Sequence, residues 1–102
     1  METHPRKKID VLVDGPLARK VTRLIDDAGV KGYSVFRSIG GRGEDGTWRE
    51  DQLTGAQQKV LIQMVLKPET ADRILEELGP QLDRYSAILY VSDVTVLRAE
   101  KF

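Results

Sequence analysis

Between two apolar runs the chain carries Gly40-Gly41-Arg42-Gly43-Glu44-Asp45-Gly46 and then stays polar through Thr47, Trp48 and Arg49 to Gln57. The flanking runs, Tyr33-Ser34-Val35-Phe36-Arg37-Ser38-Ile39 and Val60-Leu61-Ile62-Gln63-Met64-Val65-Leu66, are rich in β-branched and aromatic residues and read as strands. Four glycines in seven residues lack the side chains that hold a strand or a helix, and ordering them is entropically costly. The spacing therefore predicts a loop of about eighteen residues, 40–57, between two strands. Loops beyond about 12–15 residues without structure of their own are uncommon in compact domains and are usually functional or disordered. The loop is expected to be the working part and the remainder its rigid support.

The remainder reads as follows. Residues 7–14 alternate Ile9, Val11 and Val13 with Asp10, Leu12 and Asp14, which predicts a first strand. Asp14 or Gly15 can cap the helix that follows, and Pro16 suits a first helical turn, where its missing N–H is not needed. Leu17, Val21, Leu24, Ile25 and Ala28 fall at helical spacing over 16–28, and Gly29 stands where a glycine ends a helix. After the third strand, Pro68-Glu69-Thr70 opens a second helix with an acid near its positive end. Its stripe is Ala71, Ile74, Leu75, Leu78 and Leu82, and Gly79-Pro80 is expected to end or kink it. A last strand, 87–97, precedes the charged tail Arg98 to Phe102. The order is β-α-β-β-α-β, which predicts an α+β, ferredoxin-like βαββαβ fold. It would have a four-stranded antiparallel sheet and a long loop between strands two and three, in one domain over 1–102. Two helices cover one face of such a sheet. Both faces carry apolar residues, Leu12 opposite Ile9, Val11 and Val13, Leu61 and Val65 opposite Val60, Ile62, Met64 and Leu66, and Leu89, Val91 and Leu97 opposite Ile88, Tyr90, Val94 and Val96, so a homo-oligomer is expected.

Composition removes several function classes. The chain has no cysteine and one histidine, His4, in a terminus expected to be mobile. That excludes disulfides, thiolate chemistry, a multi-imidazole metal site within one chain and a Ser-His pair away from the terminus. Sixteen basic and sixteen acidic residues cancel, without the basic excess of a phosphate-backbone binder, so no nucleic-acid partner is expected. The apolar runs are too short to span a bilayer, and no secretory segment follows Met1, so a cytoplasmic protein without membrane insertion is the expectation. Glu76, Glu77, Asp26 and Asp27 read as solvated helix charges. No carboxylate pair has a reason to be catalytic.

Three features have both a functional and a plain reading. Gly40, Gly41, Arg42 and Gly43 could bring backbone N–H groups and a guanidinium to an anion, or could simply form a flexible turn. Trp48 is the only tryptophan; with Arg49 beside it, it could engage a partner or cover a ligand, or it could pack on its own subunit. Arg98 and Lys101 could reach a phosphate on a neighbouring chain or be solvated.

The chain resembles the PII family of trimeric signalling proteins over nearly its whole length. The resemblance is carried by Lys7-Lys8-Ile9-Asp10, by Ala28-Gly29-Val30-Lys31-Gly32-Tyr33-Ser34-Val35 leading into Gly40-Gly41-Arg42-Gly43, and by Ile88-Leu89-Tyr90-Val91-Ser92-Asp93-Val94 with Val96-Leu97-Arg98. It looks most like the PII-like branch associated with inorganic-carbon uptake and carboxysomes. The resemblance implies a non-enzymatic homotrimer with nucleotide sites in the clefts between subunits. It also implies a T-loop, about 40–57, that engages a membrane transporter or carboxysome-related partner. By position it places Gly40, Gly41, Arg42 and Gly43 at the T-loop base near phosphate, Ser34 close to that base, and Arg98 on a C-terminal arginine that reaches phosphate from the neighbouring chain. Where tight ATP binders carry a glycine- and lysine-rich B-loop, this chain has Gly79-Pro80-Gln81-Leu82-Asp83-Arg84-Tyr85-Ser86. No tyrosine lies between Gly40 and Gln57 for modification, and a second C-terminal arginine is replaced near Glu100. The implied ligand is thus an adenine nucleotide, AMP or ADP ahead of ATP, with bicarbonate as a further candidate. No metal and no covalent cofactor is expected. The alternative is an ACT-like ferredoxin-fold module for an amino acid or other small metabolite.

Overall fold

The computed structural model describes residues 1–44, 46–49 and 58–102. Strand β1 spans His4–Asp14. A 3-10 turn, Gly15–Leu17, leads into helix α1, Ala18–Asp27. Strands β2, Ser34–Arg37, β3, Gly40–Gly43, β4, Gly46–Arg49, and β5, Lys59–Leu66, follow. Helix α2 is Pro68–Arg84, strand β6 is Ile88–Val96, and a 3-10 turn, Ala99–Lys101, closes the described chain. Strands β2-β5-β1-β6 form one four-stranded sheet in that order, antiparallel at every pairing, and β3 pairs with β4 in a separate ribbon. This is the expected α+β ferredoxin-like arrangement.

The predicted alternation decides which side chains face the helices. Ile9, Val11 and Val13 of β1 and Ile62, Met64 and Leu66 of β5 meet Val21 and Ile25 of α1 and Ala71, Ile74, Leu78 and Leu82 of α2 in one buried core. Fully burying each Val, Leu, Ile or Met among them contributes about 1.5–3 kcal/mol relative to leaving it in water. The opposite face is left open and is ordered in rows by the strand register. Phe36, Leu61, Leu12 and Ile88 form one row across β2, β5, β1 and β6. Its outer members Phe36 and Ile88 are 48% and 57% exposed. The adjacent row, Ser34, Gln63, Asp10 and Tyr90, is polar and crosses the same four strands.

Several expectations are corrected. The first half of the predicted loop is a β-hairpin, and Gly40–Gly43 is one of its strands. The reason is steric. A Cβ on Gly41 would lie 2.6 Å from the Trp48 ring, so this strand needs glycine for the indole to lie on it. Asp45 and residues 50–57 of the same stretch lie outside the described residues. His4 is not in a loose terminus but pairs with Val96 as the first residue of β1. Asp14 makes no side-chain cap; Pro16 sits in the 3-10 turn, and α1 proper begins at Ala18. Gly29 does end α1's turn, at φ +88. Helix α2 runs through Pro80 to Arg84. Proline removes one intrahelical hydrogen bond, but Pro80 and Glu76, whose carbonyl loses that bond, are both exposed, so water can replace it.

Candidate functional site

A cleft of about 580 Å³ lies at one end of the sheet. Three segments meet there. The turn from Gly29 to Ser34 carries the chain from α1 into β2. The end of β5, from Gln63 to Lys67, forms the floor with Thr70 and Arg73 of α2. Glu100, Lys101 and Phe102 form the remaining wall. Register explains part of this convergence: Ser34 at the start of β2 lies opposite Gln63. The tail reaches the same cleft, and Arg6 Nη2 donates to the Ala99 carbonyl at 3.5 Å.

The lining is both apolar and cationic. Val30, Val65 and Phe102 offer apolar surface, while Lys31, Lys67, Arg73 and Lys101 face one acid, Glu100. Arg73 is already engaged: its Nη1 donates to the Ala28 carbonyl at 3.0 Å and to Glu77, tying α2 to the end of α1. Lys31, Lys67 and Lys101 make no ion pair among the described residues. Such a cleft can take a ligand with an apolar body and an anionic group. Tyr33, also in the lining, has its phenol raised above the usual range by partial burial and by the Asp26 carboxylate, to which its hydroxyl donates at 3.4 Å.

Of the residues singled out from the sequence, Ser34 lines this cleft, and Gly40, Gly41, Arg42, Gly43 and Arg98 do not. Within one subunit β2 separates Gly40–Gly43 from the cleft. Its first residue is at the cleft and its last, which leads to the hairpin, is roughly 10 Å away at about 3.3 Å per residue. Arg98 is exposed, with Nε 3.4 Å from Glu100 Oε1. Trp48 packs on its own subunit: its indole N–H donates to Ser38 Oγ at 2.8 Å, and Lys59 Nζ lies 5.6 Å from the ring centroid. Lys59 is also paired with Asp14, which ties the hairpin root to the start of the first helical turn. The sequence alone does not reveal Gln63, Lys67 and Arg73 as cleft residues. The place of Gln63 depends on the register between β2 and β5, which a connection of such length does not fix, and those of Lys67 and Arg73 depend on how α2 packs.

No described helix is long and apolar enough to cross a membrane, and no group of His, Cys, Asp or Glu among the described residues could hold a metal ion.

Comparison with known proteins now identifies the family. The family model for nitrogen regulatory protein P-II matches residues 6–101. Among solved structures, CPII, a nitrogen regulatory PII-like protein from Thiomonas intermedia K12 solved with ADP, AMP and bicarbonate, superposes with a TM-score of 0.82 at 27% identity, covering 99% of this chain and 96% of that one. A second CPII structure, bound to ADP and bicarbonate, gives a TM-score of 0.81 at 28% identity over 99% and 97% of the two chains. A candidate PII-like signalling protein from Thermus thermophilus gives 0.81 at 26% identity over 100% and 98%. The chain belongs to the P-II family of nitrogen regulatory proteins.

Proposed function

We propose that the protein is a non-enzymatic PII-like sensor of adenine nucleotides, in which AMP or ADP binds at least as well as ATP. The observation that carries this reading is the cleft of about 580 Å³ formed by Gly29–Ser34, the end of β5 and the tail. Its lining combines apolar surface with lysines that have no ion pair among the described residues. The fold is shared with a protein solved with ADP and AMP. The apolar row Phe36, Leu61, Leu12 and Ile88 supports assembly through the open face. We propose a cytoplasmic homotrimer in which Gly40–Gly43, Arg42 and Arg98 reach phosphates bound between neighbouring subunits. Bicarbonate is the proposed second ligand, and the loop bearing Trp48 and Arg49 is proposed to report ligand state to a membrane transporter or carboxysome-related protein. The ACT-like alternative gives way to the family match.

Calorimetric titration with AMP, ADP, ATP and a panel of amino acids tests the reading. Binding of AMP or ADP is expected, with ATP no tighter. ATP at least about tenfold tighter than both would overturn the stated preference, and binding of an amino acid alone would overturn the nucleotide reading. Titration of bicarbonate with and without nucleotide tests the second ligand. Absence of heat and of any change in nucleotide affinity would remove it.

A further inference from the structure

Asp10 is a carboxylate on the open side of the sheet, yet it is only 2% exposed. It sits in the polar row between Gln63 and Tyr90, directly opposite Gln63 on β5. Gln63 Nε2 donates to Asp10 Oδ1 at 3.0 Å, and Lys8 Nζ lies 3.5 Å from Asp10 Oδ2. Gln63 also lines the cleft, next to Ser34. A glutamine amide has two chemically different ends, and a carboxylate paired with an ammonium group can only accept. The amide end is therefore bound to Asp10, and the carbonyl oxygen keeps its acceptor capacity.

We propose that Asp10 is a positioning residue: it holds the Gln63 amide so that Gln63 Oε1 is presented to the cleft as acceptor for an N–H or O–H donor of the bound nucleoside. The proposal rests on the nucleotide reading above. The donor is either the exocyclic amine of the base or a ribose hydroxyl. In both cases a ligand lacking it leaves Gln63 Oε1 unpaired in a partly dry site. Selectivity then arises from the unsatisfied group as much as from the bond itself.

The pair can be inverted to test this. In Gln63→Glu, two carboxylates would face each other at the 3.0 Å now spanned by the amide bond. In the double variant, Gln63→Glu with Asp10→Asn, the amide and carboxylate exchange strands. The amide introduced on β1 donates to the carboxylate introduced on β5, which keeps an acceptor oxygen for the ligand. ADP affinity is expected to fall about 5- to 100-fold in Gln63→Leu, the range for one unsatisfied buried partner. It is expected to fall in Gln63→Glu and to return to within a few fold of the parent in the double variant. Thermal unfolding should follow the same order for Gln63→Glu and its rescue without any ligand. Inosine diphosphate and 2′-deoxy- and 3′-deoxy-ADP identify the donor: the analogue lacking it should bind the parent weakly and Gln63→Leu no differently from ADP. Parent-like ADP binding by Gln63→Leu, or a double variant as weak as Gln63→Leu, would overturn the proposal while leaving the nucleotide reading standing. Absence of any nucleotide binding by the parent would remove both.

Discussion

Replacing Gly41 by alanine should undock Trp48. The added Cβ would lie 2.6 Å from Cζ2, 2.7 Å from Cη2 and 3.2 Å from Cε2 of the indole. Carbon atoms pack best at about 3.5–4.0 Å, so the ring must move by roughly 1 Å. That displacement breaks the hydrogen bond from Trp48 Nε1 to Ser38 Oγ, at 2.8 Å, and takes the ring from beneath Lys59. The first loss is about 0.5–1.5 kcal/mol and the second about 0.5–1 kcal/mol at a partly exposed site. Together they shift the docked-to-free ratio of the indole by about 5- to 70-fold. Global melting is a poor readout, because alanine for glycine also restricts the unfolded chain, an opposite effect of about 0.4–1 kcal/mol. Fluorescence is a better one, since Trp48 is the only tryptophan. Gly41→Ala should shift its emission to the red and increase acrylamide quenching. Gly43→Ala is the control, because its Cβ would meet the ring only at 3.9 Å, an ordinary contact. Identical emission and quenching in the parent and both variants would refute the docking argument.

Further outcomes are expected. The parent should scatter light as about three times 11.5 kDa, and Ile88→Asp, which puts a charge into the apolar row of the open face, should scatter as a monomer; a monomeric parent would remove the assembly proposal. Arg98→Ala should weaken ADP by about 1.5–3 kcal/mol, the value of a hydrogen bond to a charged group, while the assembly survives; unchanged affinity would show that Arg98 does not reach the phosphates. Lys7 is held above its ordinary 10.5 chiefly by its hydrogen bond and charge interaction with Asp93. A raised folded-state value stabilises below the unfolded one and is lost as pH rises through the folded one, so the gap between the parent and Asp93→Asn should be constant at neutral pH and close above about pH 10.5 in chemical denaturation. A gap that widens there would contradict the sign.

The elements are legible where one physical effect dominates. The alternation of Ile9, Val11 and Val13 and the stripes Val21–Ile25 and Ala71–Ile74–Leu78–Leu82 give the helix-facing side of the core, and Gly29 gives the end of the first helix. Errors arise where a tertiary contact outweighs a local preference. Glycines at 40–43 read as a break, yet Gly41 is extended because an indole seven residues later occupies the space of its missing side chain. Pro80 reads as a helix end, yet the exposed side of α2 tolerates it. At the site, Ser34 is found through the family resemblance. Gln63 is not, because its polarity in an apolar strand gains meaning only once Asp10 stands opposite it. The lysines of the cleft come from three separate segments, and no single stretch of sequence shows them as a group.

The place of β1 has a consequence for synthesis. β1 is made well before β6, yet it lies inside the sheet, between β5 and β6. Lys7 and Asp93, paired across that seam, are 86 residues apart. Until β6 emerges, a chain growing at about 5–20 residues per second carries β1 with one edge of backbone donors and acceptors unpaired. Closing so long a loop is slow relative to helix formation. The nascent protein is therefore expected to hold a three-stranded intermediate, β2-β5-β1, that binds holdase chaperones and resists proteolysis only once β6 has emerged. Pulse-labelled nascent chains stalled before and after β6 would show protease resistance appearing only in the longer ones.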